Sequence, residues 1–363
     1  MPTSPNPPIT AAEGSAPSPR PIGIGVIGYG YWGPNLVRNL AANPAFRVVG
    51  VSDLNPTRLQ AARLALPWLH TTPSAEELIR HPEIDAIAIA TPVATHFDLA
   101  LSGLRAGKHL FVEKPLTNRS NQASILVEEA KQRGLTLMID HTFVYSAAVR
   151  KIKALLTAGE LGDILYLDSA RINLGLVQSD VNVLWDLAVH DLSIIQYLFD
   201  ELPQAVSATG TRHIAGRQET IAYLTLHYAS GFIAHCHVNW LSPVKVRRML
   251  IGGTRKMVVY DDVEPSEKIR VYDAGINVSA PPTPAIQGMA PADYRLMIDY
   301  RKGDIWIPHL DPTETLKTEI AHLADCINNR LPPLSGGPEG LHLVRLLEAA
   351  TQSLFLKGQP IPL

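Results

Sequence analysis

The sequence predicts an α/β protein: an N-terminal Rossmann fold, followed by an α+β domain with an open, mostly antiparallel sheet. Between residues 22 and 139, short and continuously apolar runs alternate with helical segments, and a glycine-rich turn follows the first run. After Asp140, runs with alternating polarity succeed one another with short turns. Continuous apolar runs suit a parallel sheet covered on both faces, whereas alternation suits an antiparallel sheet with one covered face.

The first predicted domain contains five strands and the helices between them. The strands are the apolar runs Ile22–Ile27, Arg47–Ser52, Ala86–Ala90, His109–Val112 and Leu135–Ile139. Pro34 suits the first turn of a helix, and Ser74 with Glu77 forms a capping box. Gly107 and Gly134 stand where helices commonly end. This alternation of strand and helix predicts a doubly wound sheet.

The second predicted domain combines helices with a run of strands. The helices are Ser146–Leu156, Asn182–Phe199, Thr313–Asn329 and Leu341–Leu356. The strand-like runs are AVSATGTRH, TIAYLTLHY, GFIAHCHVNW, VKVRRMLIGG, KMVVYDD and EKIRVYDA. We therefore expect a disordered or arm-like tail (1–20), a Rossmann domain (21–142) and a substrate-binding and oligomerisation domain (143–363). The tail is rich in Pro, Ser and Ala and cannot form a core.

Composition and charge narrow the class of protein. A length of 363 residues suits two domains, and 46% hydrophobic with 18% charged residues is typical of a soluble globular protein. The formal net charge of −2 gives no basic excess for nucleic acid. No apolar run reaches the roughly 18 residues of a membrane helix. Two cysteines cannot form a disulfide framework, so we expect a reducing, cytoplasmic location.

The segment GIGVIGYGYWGPNLVRNL contains Gly28, Gly30 and Gly33 in the spacing G-x-G-x-x-G. Glycines allow a tight turn and a close approach of backbone N–H groups to a pyrophosphate at a helix N-terminus. Asp53 ends the next strand about twenty residues after Gly33, where an acidic residue binds the adenosine ribose. A carboxylate there repels a 2′-phosphate. The pattern therefore predicts NAD rather than NADP as the cofactor.

Other cofactor contacts are expected in the glycine turn and at the carboxyl ends of the fourth and fifth strands, because open α/β sheets bind ligands at this edge. Besides the three glycines and Asp53, they are Tyr29, Tyr31, Trp32, Thr91, Pro92, His96, Glu113 and Lys114. His96 also fits a solvated residue at a helix start.

Lys114 follows the fifth strand in the segment HLFVEKPLT. At the carboxyl edge of the sheet, a lysine can hydrogen-bond a substrate hydroxyl and stabilise a developing alkoxide. Taken alone, a lysine at such a position is more often a surface residue.

Asp186 and His190 lie four residues apart in the segment NVLWDLAVHDLSIIQYLF, which predicts that they share a helix face. A carboxylate one turn from a histidine can orient the ring and raise its basicity. His190 is therefore a candidate general base, with a possible further contact from Asp191. A simple ion pair on a helix surface is the alternative.

These motifs together resemble the glucose–fructose oxidoreductase / inositol dehydrogenase (Gfo/Idh/MocA) family. The resemblance rests on G-x-G-x-x-G, on Glu113-Lys114-Pro115 after the fifth strand and on D-x-x-x-H in the second domain. It implies a Rossmann domain, a second domain whose open sheet forms subunit contacts, and Lys114, Asp186 and His190 as the catalytic group. We accordingly expect a homodimer or homotetramer.

Within that family, four segments resemble nucleotide-sugar 3-dehydrogenases. They are GYGYWGPNLVRN, HTFVYSAAVRKIK, DVNVLWDLAVHDLSI and YRKGDIWIPHLDPTETLKTEIAHLADCI. The resemblance implies oxidation of the C3 hydroxyl of UDP-N-acetylglucosamine ahead of an aminotransferase, toward 2,3-diamino sugars of lipid A or surface polysaccharides. SDVNVLW replaces the glycine-rich run that precedes the catalytic helix in many members, so the substrate pocket differs from the inositol type.

A nucleotide sugar needs cations for its pyrophosphate, flat groups for its uracil and polar groups for its hydroxyls. Besides the catalytic group, the predicted substrate contacts are Tyr145, Arg150, Lys151, Arg171, Asn173, Gln178, Asp180 and Asn182. For the three basic residues, a solvated basic surface is the alternative. Phe143 fits core packing better than stacking on a ligand.

Several functions remain open at this stage. Inositol or free-sugar dehydrogenases and dTDP-keto-sugar reductases are enzyme alternatives on the same fold. A non-catalytic NAD-binding regulatory subunit is a third class, and the intact Lys114/Asp186/His190 set argues against it. No metal is predicted: His235 and His237 share a strand face while Cys236 points away, and two ligands do not make a zinc site.

Overall fold

The computed structural model describes residues 20–175, 177, 181–215, 218–278 and 298–363. The first sheet is parallel and six-stranded, in the order β3-β2-β1-β4-β5-β6. Its strands are β1 (Ile22–Ile27), β2 (Phe46–Ser52), β3 (His70–Thr72), β4 (Ala86–Ile89), β5 (His109–Glu113) and β6 (Leu137–Asp140). The helices beside them are α1 (Gly33–Ala42), α2 (Pro56–Ala65), α3 (Ala75–Arg80), α4 (His96–Arg105) and α5 (Ser120–Arg133). This confirms the predicted Rossmann-like fold.

The predicted helix signals of this domain work as expected. Pro34 lies in the first turn of α1, the Ser74 hydroxyl accepts a hydrogen bond from the backbone N–H of Glu77, and Gly134 ends α5 in the left-handed conformation. The sequence prediction missed β3, which has only three residues and extends the sheet edge beside β2. A strand this short carries too little periodicity to recognise.

The second sheet has nine strands in the order β14-β13-β12-β11-β7-β10-β9-β8-β15. The strands are β7 (Ile164–Leu174), β8 (Ala205–Thr211), β9 (Ile221–His227), β10 (Ile233–Asn239), β11 (Leu241–Gly253), β12 (Met257–Asp261), β13 (Ile269–Val278), β14 (Ile298–Trp306) and β15 (Ile361–Pro362). Its pairs are antiparallel apart from β7 with β10. The six predicted strands are present, whereas β7, β14 and β15 were not predicted. Central strand β7 is defined by partners far away in the sequence.

Helices cover one face of this sheet, and one helix returns to the first domain. The helices are α6 (Ala147–Thr157), α7 (Val189–Leu198), α8 (Thr315–Asn329) and α9 (Gly337–Phe355). Leu316, Ile320 and Leu323 of α8 are buried in the same core cluster as Leu36 and Leu40 of α1. Helix α8 therefore supports the helix that follows the glycine turn.

The opposite face of the nine-stranded sheet is open. Tyr223, Ile233 and Leu250 point to this face and are 45%, 43% and 37% exposed, while their strand neighbours are buried in the core. Cys236 and Cys326 are both buried free thiols. Among the helices that the structure describes, none is long and apolar enough to cross a membrane.

Candidate active site

Lys114 joins the two domains at the carboxyl edge of the first sheet. It follows β5 directly, and its Nζ donates to the Asp186 backbone oxygen at 3.0 Å and to the Asp186 carboxylate at 3.3 Å. The two side chains are 18% and 21% exposed. Lys114 is therefore largely buried and held by Asp186 instead of lying free on the surface.

Asp186 does not pair with His190 as the sequence predicted. It lies in a π-helical turn, Leu184–Ala188, that precedes α7, and its second carboxylate oxygen accepts a hydrogen bond from Trp240 Nε1 at 3.0 Å. The prediction assumed regular α-helical spacing, and a π turn changes which side chains lie above one another. Asp186 thus orients Lys114, and Trp240 orients Asp186.

His190 is enclosed beside this pair. Its ring packs edge-on against Phe143 with 5.1 Å between the centroids, and its Nδ1 is buried with no hydrogen-bond partner among the described residues. Burial lowers the pKa of His190 well below its ordinary value, and the positive charges of Lys114 and Arg171 lower it further. The imidazole is therefore neutral at pH 7 and able to accept a proton.

The glycine turn has the shape that a dinucleotide pyrophosphate requires. Gly28 has φ +98°, and a Cβ there would lie 2.5 Å from the Ala90 carbonyl oxygen. A Cβ at Gly33 would lie 2.4 Å from the Gly28 oxygen, whereas the nearest atom to a Cβ at Gly30 is Arg58 Nη1 at 3.6 Å. Two of the glycines are thus required by the fold and the third leaves open space. These residues fit NAD at this edge of the sheet.

Asp53 lies at the predicted place beside the turn. One carboxylate oxygen accepts the Tyr29 backbone N–H at 2.7 Å, and the other accepts the Asn55 backbone N–H at 2.8 Å. Arg58 approaches the same carboxylate at 3.4 Å. The sequence does not predict a role for Arg58, because only the folded chain places it beside Gly30 and Asp53.

The other residues assigned to the cofactor differ in exposure. Tyr31 is 93% exposed, while Trp32 Nε1 donates to Asp140 at 2.5 Å. His96 is only 1% exposed, and its ring nitrogens face the carbonyl oxygens of Thr91 at 2.8 Å and Pro115 at 3.0 Å. We correct the prediction for His96: it braces the loops after β4 and β5 from inside the protein.

Three residues that were predicted to contact the sugar are instead buried and bonded inside the protein. Tyr145 is 2% exposed, and its hydroxyl pairs with Ser335 at 3.0 Å. The Asn182 side chain accepts the backbone N–H of Leu184 and caps the turn that contains Asp186. Arg171 is buried in an ion pair with Asp191 at 2.7 Å. We correct the predicted role of all three, because the sequence does not show that these side chains are buried and bonded to other residues.

The remaining substrate predictions stay predictions. Arg150 is exposed, Asn173 is half-buried on β7, and Lys151 Nζ lies 5.3 Å from the ring centroid of Trp306. Trp306 is 48% exposed and was not predicted as a contact. Gln178 and Asp180 lie outside the described residues.

The His235-Cys236-His237 segment lies on the second sheet, and no group of three or more metal-ligating side chains occurs in the described part of the chain. His237 stacks on Tyr223 with 4.5 Å between the ring centroids. The two histidines belong to the open face, as their alternation along the strand predicts.

Comparison with known proteins identifies both domains. Residues 22–141 match the model of an oxidoreductase family with an NAD-binding Rossmann fold, and residues 149–259 match the GFO/IDH/MocA C-terminal domain. Together these matches span more than half of the chain. They confirm the resemblance inferred from the motifs.

Relatives with different substrates cover most of the chain. UDP-N-acetylglucosamine 3-dehydrogenase of Acidithiobacillus ferrooxidans is 28% identical over 90% of this chain and 95% of its own length. Myo-inositol 2-dehydrogenase of Thermotoga maritima is 24% identical over 91% of this chain and 96% of its own length. Among solved structures, GenD2 from gentamicin A biosynthesis, in complex with NAD, is similar with a TM-score of 0.78 at 20% identity over 98% of this chain and 99% of its own.

Proposed function

The chain belongs to the GFO/IDH/MocA family of NAD-binding oxidoreductases, and on that basis we propose that it oxidises the C3 hydroxyl of a UDP-sugar, with UDP-N-acetylglucosamine as the substrate. One observation carries the proposal of catalysis. The amine of Lys114 is fixed by Asp186 at the carboxyl edge of the Rossmann sheet, beside the neutral imidazole of His190. NAD, when bound, supplies the hydride acceptor.

The two proposed catalytic side chains divide the proton chemistry. Lys114 donates a hydrogen bond to the substrate oxygen and stabilises the negative charge that develops on it. His190 accepts the hydroxyl proton, directly or through a water, since a neutral imidazole has a free lone pair. Asp186 keeps Lys114 in place and is itself held by Trp240.

Support for a nucleotide sugar comes from the relatives and from one surface feature. The A. ferrooxidans relative is named for its action on UDP-N-acetylglucosamine. Lys151 and the half-exposed Trp306 place a cation beside a flat aromatic ring. A cation can bind a pyrophosphate, and an aromatic ring can stack on a uracil. The 3-keto product is then the carbonyl substrate of an aminotransferase.

Inositol oxidation is the second candidate, because inositol dehydrogenases align with this chain at comparable identity. A panel of UDP-sugars, dTDP-sugars, inositols and free sugars, followed through NADH absorbance, separates the two. An aminotransferase with an amino donor should be present to remove the ketone, because oxidation of a secondary alcohol by NAD is unfavourable at neutral pH. We expect turnover with UDP-N-acetylglucosamine. Turnover restricted to an inositol or a free sugar would refute the substrate assignment, and NAD binding without any turnover would favour a regulatory subunit.

The carboxylate at position 53 should determine the choice between NAD and NADP. Leu54 is 90% exposed and Arg58 already lies beside Asp53, so Asp53→Ser with Leu54→Arg removes the repulsion and adds a second cation. We expect the preference to shift toward NADP by about tenfold or more, as suits the change of a close charge pair. Calorimetric titration with both cofactors measures it. Leu54→Arg alone, which keeps Asp53, is the control and should still prefer NAD, and tighter NADP than NAD binding by the unmodified protein would contradict the assignment.

We propose that a second copy of the chain covers the open face of the nine-stranded sheet, giving a dimer or tetramer. Exposed Tyr223, Ile233 and Leu250 lie on this face, opposite the helices. Light scattering should give a multiple of the chain mass. Leu250→Arg should lower the measured mass to that of one chain, because association would then bury an unpaired charge. Leu64→Arg, on exposed α2, is the matched control. A monomer at every concentration would contradict this proposal.

A further inference from the structure

The indole of Trp32 is fastened to the end of strand β6. Trp32 lies between Gly30 and Gly33 in the turn, and its Nε1 donates to Asp140 Oδ2 at 2.5 Å. The other carboxylate oxygen of Asp140 accepts the Thr142 hydroxyl at 2.6 Å. Asp140 is only 2% exposed. The carboxylate thus acts as a buried acceptor for two donors and retains lone pairs for a third.

Glu319 of helix α8 has no role in the chemistry proposed above, yet it is completely buried. Its exposure is 0%, and neither carboxyl oxygen accepts a hydrogen bond from a donor in the part of the chain that the structure describes. The side chain lies beside Asp140 and Thr142. Burial raises the pKa of Glu319 well above its ordinary value, and the nearby charge of Asp140 raises it further. This environment favours the neutral carboxylic acid, which has an O–H to donate.

A charged Glu319 would be poorly tolerated here. Glu113 and Asp140 are direct partners in the pairing of β5 with β6, so two carboxyl groups already end adjacent strands. Lys114 is the nearby cation and is bonded to Asp186. Burial raises the pKa of Glu113 to about 8, so Asp140 is the carboxylate that an ionised Glu319 would face. Two like charges in this enclosed space would repel each other, whereas a protonated Glu319 can donate to Asp140.

We propose that Glu319 is a positioning residue for the cofactor turn: its protonated carboxyl donates to Asp140, and Asp140 thereby holds the Trp32 indole and the Gly30–Gly33 turn in place. Helix α8 reaches the same region through a second contact, since Glu314 at its start binds Arg38 of α1 at 2.6 Å. Residues of α8, far from the glycine turn in the sequence, thus shape the site that binds the pyrophosphate. This inference goes beyond the proposed function and holds whichever sugar is oxidised.

Two substitutions at position 319 separate hydrogen bonding from packing. Glu319→Gln keeps a neutral donor of similar size, whereas Glu319→Leu keeps volume and removes the donor. We expect the Kd for NAD to change by less than about twofold in Glu319→Gln. It should rise about tenfold in Glu319→Leu, because a buried acceptor loses its partner. At saturating NAD, kcat should stay near wild type in both, since Lys114 and His190 are untouched. Asp325→Leu, at an exposed position of the same helix, is the matched control.

Two further measurements keep the inference testable if Glu319→Leu does not fold. Trp32→Phe removes the donor at the other end of the contact and should weaken NAD binding to a similar extent. Burial raises the pKa of Glu113 to about 8, so Glu113 contributes a protonated-carboxyl band at pH 7 in both the wild type and Glu319→Gln. The infrared difference spectrum of wild type minus Glu319→Gln at pH 7 should therefore show one additional protonated-carboxyl carbonyl band. The assignment would be overturned if Glu319→Leu bound NAD as tightly as the wild type, or if Glu319→Gln and Glu319→Leu bound it equally weakly. Wild-type NAD affinity in Trp32→Phe, or no change in the infrared band, would also overturn it. NAD binding is measured without a sugar, so these outcomes are independent of the substrate panel.

Discussion

Replacement of Lys114 by methionine is expected to lower kcat about a thousandfold, the magnitude lost when a proton-transfer or oxyanion-stabilising group is removed. Methionine keeps the length of the side chain but has no N–H to donate to the substrate oxygen. The Asp186 carboxylate keeps its hydrogen bond from Trp240, and this contact still holds the π turn in place. The Kd for NAD should change little, because the glycine turn and Asp53 are unaltered. Steady-state kinetics with the substrate found in the panel, together with calorimetric titration of NAD, measures both effects.

Lys131→Met is the matched control, because Lys131 is an exposed lysine near the end of α5. It should leave both kcat and the NAD affinity unchanged. Full turnover by Lys114→Met would remove Lys114 from the catalytic group. A large loss of NAD affinity at unchanged kcat would instead place its role in cofactor binding.

Replacement of His190 by asparagine is expected to lower kcat at least about a hundredfold and to abolish the acidic limb of the pH–rate profile. A general base works only in its neutral form, so the rate falls as the pH drops through its pKa. Burial and the neighbouring cations lower the pKa of His190, and the acidic limb of the free wild-type enzyme therefore lies well below pH 6.5. Loss of the positive charge in Lys114→Met should move this limb of the residual activity toward higher pH. The pH dependence of kcat/KM in the wild type and both variants tests these directions.

His309→Asn serves as the control for the histidine, since His309 is exposed and lies after β14. Its pH–rate profile should match that of the wild type. An unchanged acidic limb in His190→Asn would move the base to Lys114. Full turnover by both His190→Asn and Lys114→Met would refute the proposed catalytic group as a whole.

The sequence predicts those parts of the molecule that are encoded locally. The five apolar runs of the first domain, the cap by the Ser74 hydroxyl and the glycine turn each follow from a few neighbouring residues, and all are present. The reciprocal half of the predicted capping box is not formed, because the Glu77 carboxylate pairs with His70 and Thr72. The family motifs also select Lys114, which the structure brings against Asp186. Such features depend on patterns shorter than about twenty residues.

Features that depend on distant chain segments were not predictable in this way. Trp240 reaches Asp186 from the end of β10, and Glu319 of α8 lies beside Asp140. Tyr145 and Arg171 carry groups that suit ligand binding. Only the folded structure shows that the Tyr145 hydroxyl bonds to Ser335 and that Arg171 forms an ion pair with Asp191. The π turn at Asp186 likewise places this carboxylate against Lys114 and Trp240 instead of His190.

Transfer of an isotope from a single carbon tests the central claim most directly. The enzyme is incubated with NAD and UDP-N-acetylglucosamine that carries deuterium at C3, with an aminotransferase to remove the ketone, and the reduced cofactor is analysed by mass spectrometry. The proposed reaction predicts one deuterium in the reduced cofactor from C3-labelled substrate and none from substrate labelled at C4. Unlabelled reduced cofactor from the C3-labelled sugar, or deuterium that arrives from C4, would contradict oxidation at C3.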